Sequence, residues 1–358
     1  MKNKKWFITY LSIFIIGLIS VAGITIYIDP YFHYHKPIQS LNYTLHNQRS
    51  QNDGILKHFD YDGIITGTSM TENFKTTEAD KIFNANFIKV PFAGAELKEI
   101  NDAIKTGLKS NYTIKYVIRS LDKYTFYNDK DAKREDLGEY PTYLYDSNIF
   151  NDTKYILNKE ILLNLDRPII ISKIKGLSGG ITSFDDYSNW MQADKEKFVI
   201  ENVLGSRKLF PKPNKEGDLS NEEISMIKAN IKQNVTDLTN EFQDVEYNYF
   251  FPPYSIVWWG DTYSQGNLKK QIETEKIAIE EILNNSNIRL FGFDNITEIS
   301  TNLNNYQDTV HYGEWINSQM LEYMKDDVGL LTLDNYEDYL KEVYEFYSTY
   351  DYNSLVEE

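Results

Sequence analysis

The chain has 358 residues, with 37 basic and 53 acidic side chains, 28 tyrosines and no cysteine. The lack of cysteine excludes disulfides and thiolate metal sites, and the formal net charge of −16 disfavours nucleic acid or another polyanion as a partner. A chain of this length is expected to form one large domain with insertions.

The N-terminal residues predict a transmembrane signal anchor at 1–28. An uncharged apolar run of 23 residues, 6–28, follows Lys2, Lys4 and Lys5, and it is long enough to span a bilayer. The positive-inside rule then places the N-terminus in the cytoplasm and the rest of the chain outside. The alternative is a cleaved signal peptide, but its apolar region is usually only about 7–15 residues, and no convincing small-x-small cleavage site follows.

The residues after the anchor indicate a location in a bacterial cell envelope. They carry 34 basic and 53 acidic side chains, a net charge near −19. An exported protein without disulfides fits a bacterial envelope, especially a Gram-positive one, better than a eukaryotic secretory route. We therefore expect a single-pass protein of the cell membrane whose main domain is extracellular.

Strands and helices alternate after a juxtamembrane segment at 29–54. Buried strands are predicted at 63–66, 87–92, 115–119, 247–251 and 288–293. Helices are predicted at 71–83, 97–108, 220–242, 268–283 and 313–324, and Ser220 with Glu223 makes a capping box. This alternation predicts an α/β fold, a three-layer sandwich around a five-stranded parallel sheet. The expected domain covers 55–330 with an insertion at about 122–217, and a C-terminal amphipathic acidic helix occupies 331–358.

A serine lies at the expected carboxyl end of the first strand, in the segment Gly67-Thr68-Ser69-Met70-Thr71-Glu72. Open α/β sheets place ligands at this edge, near helix N–H groups that favour developing negative charge. Ser69 is therefore a candidate nucleophile. The alternative is an ordinary turn residue or helix cap.

An acid and an imidazole come far downstream, in Asp308-Thr309-Val310-His311. The three-residue step lets the Asp308 carboxylate hold Nδ1–H of His311 and leaves Nε2 free for a serine hydroxyl. The alternative for this pair alone is a surface turn. Together with Ser69, the pair predicts a catalytic triad.

At this point the chain resembles the SGNH/GDSL hydrolase family. The nucleophile after the first strand and the Asp-x-x-His before the last helix follow that family's chain order. The membrane-anchored cell-envelope branch is the better match. It includes the D-alanyl transfer protein of teichoic acid D-alanylation and alginate-acetylation-type proteins. The N-terminal anchor, the Gly-Thr-Ser-Met-Thr-Glu-Asn-Phe block and the Pro252-Pro253-Tyr254-Ser255 segment support this branch.

The resemblance implies roles for individual residues. Ser69 is the nucleophile, His311 the base and Asp308 its orienting acid, and the backbone N–H groups of Ser69 and Gly94 form the oxyanion hole. Family hydrolases usually add an Asn side chain from the loop after the third strand, where this chain has Asp122, which cannot donate unless it is protonated. The residues assigned to substrate binding are Asp122, Tyr254, Ser255 and Trp190.

Two functions from different classes follow. The first is an extracytoplasmic serine-dependent acyltransferase or esterase acting on D-alanyl or O-acetyl groups of a cell-envelope glycopolymer or acyl carrier. The second is a non-catalytic accessory of the same fold, a scaffold or glycan-binding partner of a multi-span membrane O-acyltransferase. The intact triad favours the first function and Asp122 favours the second. No metal or cofactor is implied.

Overall fold

The computed structural model describes residues 2–134, 136, 140–191 and 195–356. Among these residues the α-helices are, in chain order, α1 (Lys2–Ile28), α2 (Gln48–His58), α3 (Thr76–Phe83), α4 (Leu97–Ser110), α5 (Thr153–Ile156), α6 (Lys159–Ile161), α7 (Arg167–Ile174), α8 (Ile200–Leu204), α9 (Asn221–Ile231), α10 (Asp237–Glu241), α11 (Ile256–Ser264), α12 (Leu268–Leu283), α13 (Thr297–Thr301), α14 (Glu314–Lys325) and α15 (Tyr336–Thr349). The strands are β1 (Asn42–Tyr43), β2 (Gly63–Gly67), β3 (Phe87–Pro91), β4 (Tyr116–Ser120), β5 (Gly180–Ile181), β6 (Glu246–Phe251), β7 (Ile288–Gly292) and β8 (Leu330–Leu331).

Contacts divide the chain into two compact units. The anchor unit consists of Met1–Asp60 and Glu135–Ser183, and the sheet unit consists of Tyr61–Arg134 and Phe184–Glu358. The insertion predicted at 122–217 is thus shared between the two units. Its residues 135, 137–139 and 192–194 lie outside the described part of the chain.

The sheet unit is built on a sheet with strand order β3-β2-β4-β6-β7-β8. Within this sheet β3, β2, β4, β6 and β7 pair in parallel with their neighbours, and β8 pairs antiparallel with β7. The predicted α/β class with a mostly parallel sheet is confirmed. The predicted count of five strands was wrong, because the described residues contain a sixth. β8 has two residues and follows a turn at Gly329 (φ +78°), so it is too short to show a periodicity in the sequence.

The strand order places a topological reversal beside β2. Because β2 lies between β3 and β4, the chain adds its second strand on one side of the first and its third strand on the other. Open parallel sheets bind ligands at the carboxyl ends of the strands that flank such a reversal. Ser69 follows β2 and Asp122 follows β4, so both lie at this edge.

Helix α3 begins later than predicted, at Thr76 instead of residue 71. Residues Ser69–Thr71 form a separate 3-10 turn. The Asp185 carboxylate accepts the N–H of Thr77 at 3.0 Å and the hydroxyls of Thr76 and Thr77, and so it caps α3 from a distant part of the chain. Such a cap cannot be recognised from the local sequence. The capping box of Ser220 and Glu223 at the start of α9 is confirmed.

A completely buried ionic cluster joins β4, β7 and α12. The Lys123 ammonium lies 2.7 and 2.6 Å from the two oxygens of Asp294 and 3.8 Å from Oε1 of Glu275, and all three side chains are fully inaccessible to solvent. The C-terminal helix α15 joins this cluster, since Tyr339 Oη donates to Asp294 Oδ2 at 3.0 Å. Tyr347 Oη donates to the backbone oxygen of Asp294 at 2.9 Å. The predicted C-terminal helix therefore packs as part of the sheet unit.

The anchor unit begins with α1, whose stretch Lys4–Ile28 contains an 18-residue window with a mean hydropathy of 2.4 and is long and apolar enough to cross a membrane. Two residues of its last turn, Thr25 and Ile28, are buried in the unit. Thr25 Oγ1 donates to Asp166 Oδ2 at 2.7 Å, and Tyr43 Oη donates to the carbonyl of Ile28 at 2.7 Å. The predicted spanning helix is thus continuous with folded structure at its C-terminal end.

The rest of the anchor unit is small and irregular. β1 and β5 pair in parallel over two residues. Its core contains Tyr31, Leu144, Tyr155 and Ile161. Asp29, directly after α1, accepts the hydroxyl of Tyr155 at 2.7 Å, which fixes the chain where it leaves the helix.

Candidate active site

Ser69 lies on a tight turn directly after β2. Gly67, the last residue of β2, has φ +150°, and a Cβ atom there would lie 2.2 Å from Ser120 Oγ. The N–H of Thr68 donates to that same Ser120 oxygen at 3.3 Å. Only glycine fits this approach, and it lets the chain turn sharply. The turn leaves Ser69 partly exposed at the edge of the buried sheet.

The structure brings together the three residues that the sequence predicted as a triad. Ser69 Oγ lies 2.8 Å from His311 Nε2, across a separation of 242 residues, and His311 Nδ1 lies 2.7 Å from Asp308 Oδ2. A proton on Nδ1 satisfies the Asp308 carboxylate and leaves Nε2 as the acceptor for the serine hydroxyl. This arrangement can remove a proton from Ser69 as its oxygen attacks an electrophile.

The loop that carries His311 is held by two sets of hydrogen bonds. The second oxygen of Asp308 accepts the N–H groups of Val310 at 2.9 Å and His311 at 2.8 Å. The N–H and hydroxyl of Ser255 both donate to the carbonyl of Thr309, at 3.2 and 2.7 Å. Ser255 is fully buried and contacts the loop. The substrate-binding role assigned to Ser255 stays a prediction.

The charges around His311 favour its protonated form. Burial opposes the charged imidazole, but the hydrogen bond and charge of Asp308, aided by Glu72 and Asp122, outweigh it and raise the pKa of His311 above its usual value. Burial also acts against the charged form of Asp308. The contacts with His311 and with backbone N–H groups prevail, and they lower the pKa of Asp308. The pair therefore stabilises the imidazolium that forms when Ser69 gives up its proton.

The backbone N–H groups of Ser69 and Gly94, the predicted oxyanion donors, have no hydrogen-bond partner among the described residues. Gly94 has φ +60°, and a Cβ atom there would lie 1.9 Å from Arg134 Nη1. Arg134 Nη1 donates to the carbonyl of Ala93 at 2.9 Å. Both observations favour glycine at position 94, where the guanidinium of Arg134 covers the backbone.

Asp122 lies behind the Ser69 turn and is fully buried. Its Oδ2 accepts the hydroxyl of Ser120 at 2.8 Å, and its Oδ1 accepts the hydroxyl of Tyr254 at 3.0 Å. Because Ser120 also accepts the N–H of Thr68, this chain of hydrogen bonds supports the turn from within. Burial raises the pKa of Asp122, and its hydrogen bonds oppose that rise. Tyr254 is buried too, and substrate contact by either residue stays a prediction.

Aromatic side chains stand on the open side of His311. The ring of Trp190 is perpendicular to the imidazole at a centroid distance of 6.0 Å, and it stacks on Phe198 at 6.2 Å. Phe198 also lies 5.1 Å from Trp315, whose ring is 42% exposed. Of the four residues assigned to substrate binding, Trp190 is the one that is not buried.

Three residues around the site were missed in the sequence. Asn317 Nδ2 donates to the carbonyl of Met70 at 3.1 Å and ties α14 to the serine turn. Asn73 Oδ1 accepts the N–H of Trp190 at 3.2 Å. The third is Arg134, which covers Gly94. A polar residue directly after the Ser69 turn was a usable signal for Asn73. No local pattern marks Asn317 or Arg134.

No group of three or more histidine and acidic side chains that could hold a metal ion is found in the described ranges. Comparison with known proteins finds no relative, since no family model, curated protein or solved structure matches the chain. The function must therefore be inferred from the geometry of the site.

Proposed function

We propose that the chain is an extracytoplasmic serine-dependent acyltransferase or esterase of the SGNH type, acting on D-alanyl or O-acetyl groups of a cell-envelope polymer. The observation that carries this proposal is the continuous chain of hydrogen bonds from Ser69 through His311 to Asp308, at 2.8 and 2.7 Å. It lies at the carboxyl edge of a parallel sheet beside the reversal in strand order, where such folds bind ligands.

In the proposed reaction Ser69 Oγ attacks the carbonyl carbon of an acyl ester while His311 Nε2 takes the hydroxyl proton. The negative charge that develops on the carbonyl oxygen is stabilised by the N–H groups of Ser69 and Gly94. When the tetrahedral intermediate collapses, the carbon–oxygen bond to the alcohol breaks, and that alcohol takes the proton from His311. The acyl group remains on Ser69 as an ester. A hydroxyl of the acceptor, or water, then repeats these steps in reverse order.

The position of Asp122 favours transfer over rapid hydrolysis. One of its carboxylate oxygens accepts a hydrogen bond from Ser120 and the other accepts one from Tyr254. Asp122 therefore does not provide the side-chain donor that family hydrolases supply at this place. Loss of one oxyanion donor costs about 10²–10³ in rate. A well-positioned acceptor hydroxyl can compensate for this loss more readily than bulk water.

Two further features support the proposed fold and location. Helix α3 packs with α14, whereas α12 packs with α9 and α15, which is the separation expected for helices on opposite faces of a three-layer sandwich. The apolar helix α1 after three lysines supports a single-pass orientation in which the sheet unit is outside the cytoplasm.

A non-catalytic accessory, bound to a multi-span membrane O-acyltransferase or to a glycan, is the second candidate. The carboxylate of Asp122 only accepts hydrogen bonds, so the site lacks one of the donors that an efficient hydrolase uses, and this favours the accessory. The two candidates differ in whether Ser69 can form a covalent bond.

Labelling of the full-length chain in membranes with a fluorophosphonate probe tests the proposal. We expect labelling of the natural chain and complete loss in Ser69→Ala, because the probe needs a serine activated by an adjacent base. His311→Ala should lose nearly as much, since triad residues act as a unit. The matched control is Ser318→Ala, whose hydroxyl donates only to the carbonyl of Glu314 within its own helix. Equal labelling of Ser69→Ala and the natural chain would refute the proposal, and no labelling of either would favour the accessory.

A further inference from the structure

An apolar groove of about 510 Å³ runs along the C-terminal part of α1 in the anchor unit. Gly23 and Ile24 of α1 form one wall, and Ile170 and Ile174 of α7 belong to the other, with Lys173 at its border. The groove is open rather than enclosed. Neither Ser69 nor any other residue of the candidate active site lines it.

Helix α7 exposes apolar side chains next to this groove. Ile174 is 78% exposed and Leu177, just after the helix, is 55% exposed, although Ile169 of the same helix is buried. Adjoining exposed apolar side chains of this size mark an interaction surface in a water-soluble environment. Here they adjoin α1, whose own apolar side chains are exposed along most of its length.

The groove lies at the depth of one leaflet if α1 spans the membrane. About 20 helical residues cross a hydrocarbon core of about 30 Å, at about 1.5 Å per residue. The groove residues of α1 lie between Ser20 and Ile28, at the C-terminal end of the helix. A membrane that surrounds α1 would then also reach α7, and a lipid of that leaflet would have access to the groove.

Basic side chains on and next to α7, of which Lys173 lines the groove, favour an anionic head group. Arg167, Lys173 and Lys175 are exposed on or next to α7, and no ion pair is found for them within the described residues. The neighbouring acid, Asp166, is buried and bonded to Thr25. In a chain with a net charge of −16, three exposed basic side chains on or next to α7, with no ion pair among the described residues, are complementary to an anionic head group.

We propose that this groove binds an anionic phospholipid of the leaflet next to the anchor unit, with one acyl chain between α1 and α7 and the phosphate on Lys173. Helix α7 then lies at the membrane surface as a second contact beside the spanning helix. This site is independent of the triad and of the reaction proposed for it.

The groove is tested by filling it. Gly23 lines the groove, and a Cβ atom added there meets no atom within 4 Å, so we expect Gly23→Leu to fold and to fill part of the groove with its side chain. Gly17→Leu is the matched control, because Gly17 is equally open on the same helix and does not line the groove. The full chain is reconstituted in nanodiscs of phosphatidylcholine and phosphatidylglycerol, released into mild detergent, and analysed for retained lipid by native mass spectrometry.

We expect the natural chain and Gly17→Leu to retain one phosphatidylglycerol, and Gly23→Leu to lose it. Equal retention of phosphatidylglycerol by the two leucine variants would overturn the proposal. That result is also the one expected if a helix of another protein, and not a lipid, fills the groove.

The role of the positive charge in selecting the head group is tested with Lys173→Gln. The control is Lys36→Gln, which removes an exposed lysine that is paired with Asp60. Lys173→Gln should reduce the preference for phosphatidylglycerol over phosphatidylcholine about fivefold. An unchanged preference would overturn the assignment of the head group to Lys173.

Discussion

Two clusters of ionisable side chains lie at the carboxyl ends of strands in the same sheet, and they differ in their access to solvent. In the first, His311 and Asp308 have side-chain exposures of 27% and 45%, and they join a partly exposed serine. In the second, Lys123, Asp294 and Glu275 are all inaccessible to solvent. In the first cluster the pKa of His311 is raised and that of Asp308 is lowered, and in the second the pKa values of Glu275 and Asp294 are raised, because desolvation and close charges act in both.

The comparison shows that a shifted pKa does not by itself identify an active site. Structural ion pairs perturb titration as strongly as catalytic groups do. The first cluster is distinguished by a partly exposed serine hydroxyl in contact with an imidazole. The second has no path to solvent, and its partners are the aromatic rings of Trp258, Trp259 and Tyr254, which lie within 6 Å of the Lys123 ammonium. We therefore expect changes in the first cluster to affect the reaction and changes in the second to affect stability.

Replacement of the acid in the first cluster should produce the largest effect. Asp308→Asn keeps the shape of the side chain but removes the charge that holds His311 in the correct tautomer, so ester turnover should fall by about 10⁴. Because Asp308 raises the pKa of His311 and the base acts only when neutral, its loss should also move the acidic limb of the pH–rate profile to lower pH.

The measurement is turnover of a small activated ester from about pH 5 to about pH 9, a range that includes the titration of histidine. Asp334→Asn, at an exposed position, is the control and should leave rate and profile unchanged. A tenfold or smaller loss without a shift of the acidic limb would show that Asp308 does not orient the base.

Removal of the cation in the second cluster should reduce stability without a comparable loss in the rate of the folded protein. Lys123→Met leaves Asp294 and Glu275 buried without their counter-ion, and breaking a buried pair costs roughly 3–5 kcal/mol in the free energy of unfolding. Chemical denaturation measures the loss. Lys341→Met, at a side chain that is 70% exposed on α15, is the control and should change stability by about 1 kcal/mol or less. A Lys123→Met chain of natural stability would contradict the structural role of the cluster.

The acid of the second cluster should make stability depend on pH. Burial raises the pKa of Glu275 to about 7, and Asp294 adds to the rise while Lys123 opposes it. The unfolded chain releases this proton near pH 4.5, so stability falls as pH rises from about 4.5 and the loss is complete above about 7. Glu275→Gln cannot ionise and should flatten this decline. If thermal unfolding of the natural chain and Glu275→Gln showed the same pH dependence, Glu275 would not be the titrating group.

The sequence predicted the central sheet well, because five buried apolar strands alternate with helices and each is long enough to show its pattern. Helix α12 was predicted at its observed bounds. The sequence failed where distant residues decide local structure. The start of α3 depends on Asp185, more than 100 residues away, and β8 forms only because its two residues reach β7.

The candidate site shows the same division. Ser69, His311 and Asp308 carry recognisable chemistry in short segments, so the sequence could identify them before their contact was known. Arg134 and Asn317 reach the site through the fold and belong to no motif. The division into two units was also invisible in the sequence, since residues 135–183 join the N-terminal segment through packing rather than through a linker or a change in composition.

The smallest effect is expected at Asp122, which directly precedes Lys123 of the second cluster and supports the Ser69 turn of the first through Ser120. Its carboxylate faces Ser120 and Tyr254 rather than the space in front of Ser69. An asparagine can accept from one of these hydroxyls and donate to the other, because a hydroxyl both donates and accepts. Asp122→Asn should therefore change the free energy of unfolding by only about 0.5–1.5 kcal/mol and leave ester hydrolysis within about twofold of the natural rate. Asp308→Asn is the matched comparison, the same substitution at an exposed acid that contacts the base. A tenfold rise in hydrolysis on Asp122→Asn would mean that the new amide reaches the oxyanion, and position 122 would then belong to the catalytic cluster instead of the buried support beneath it.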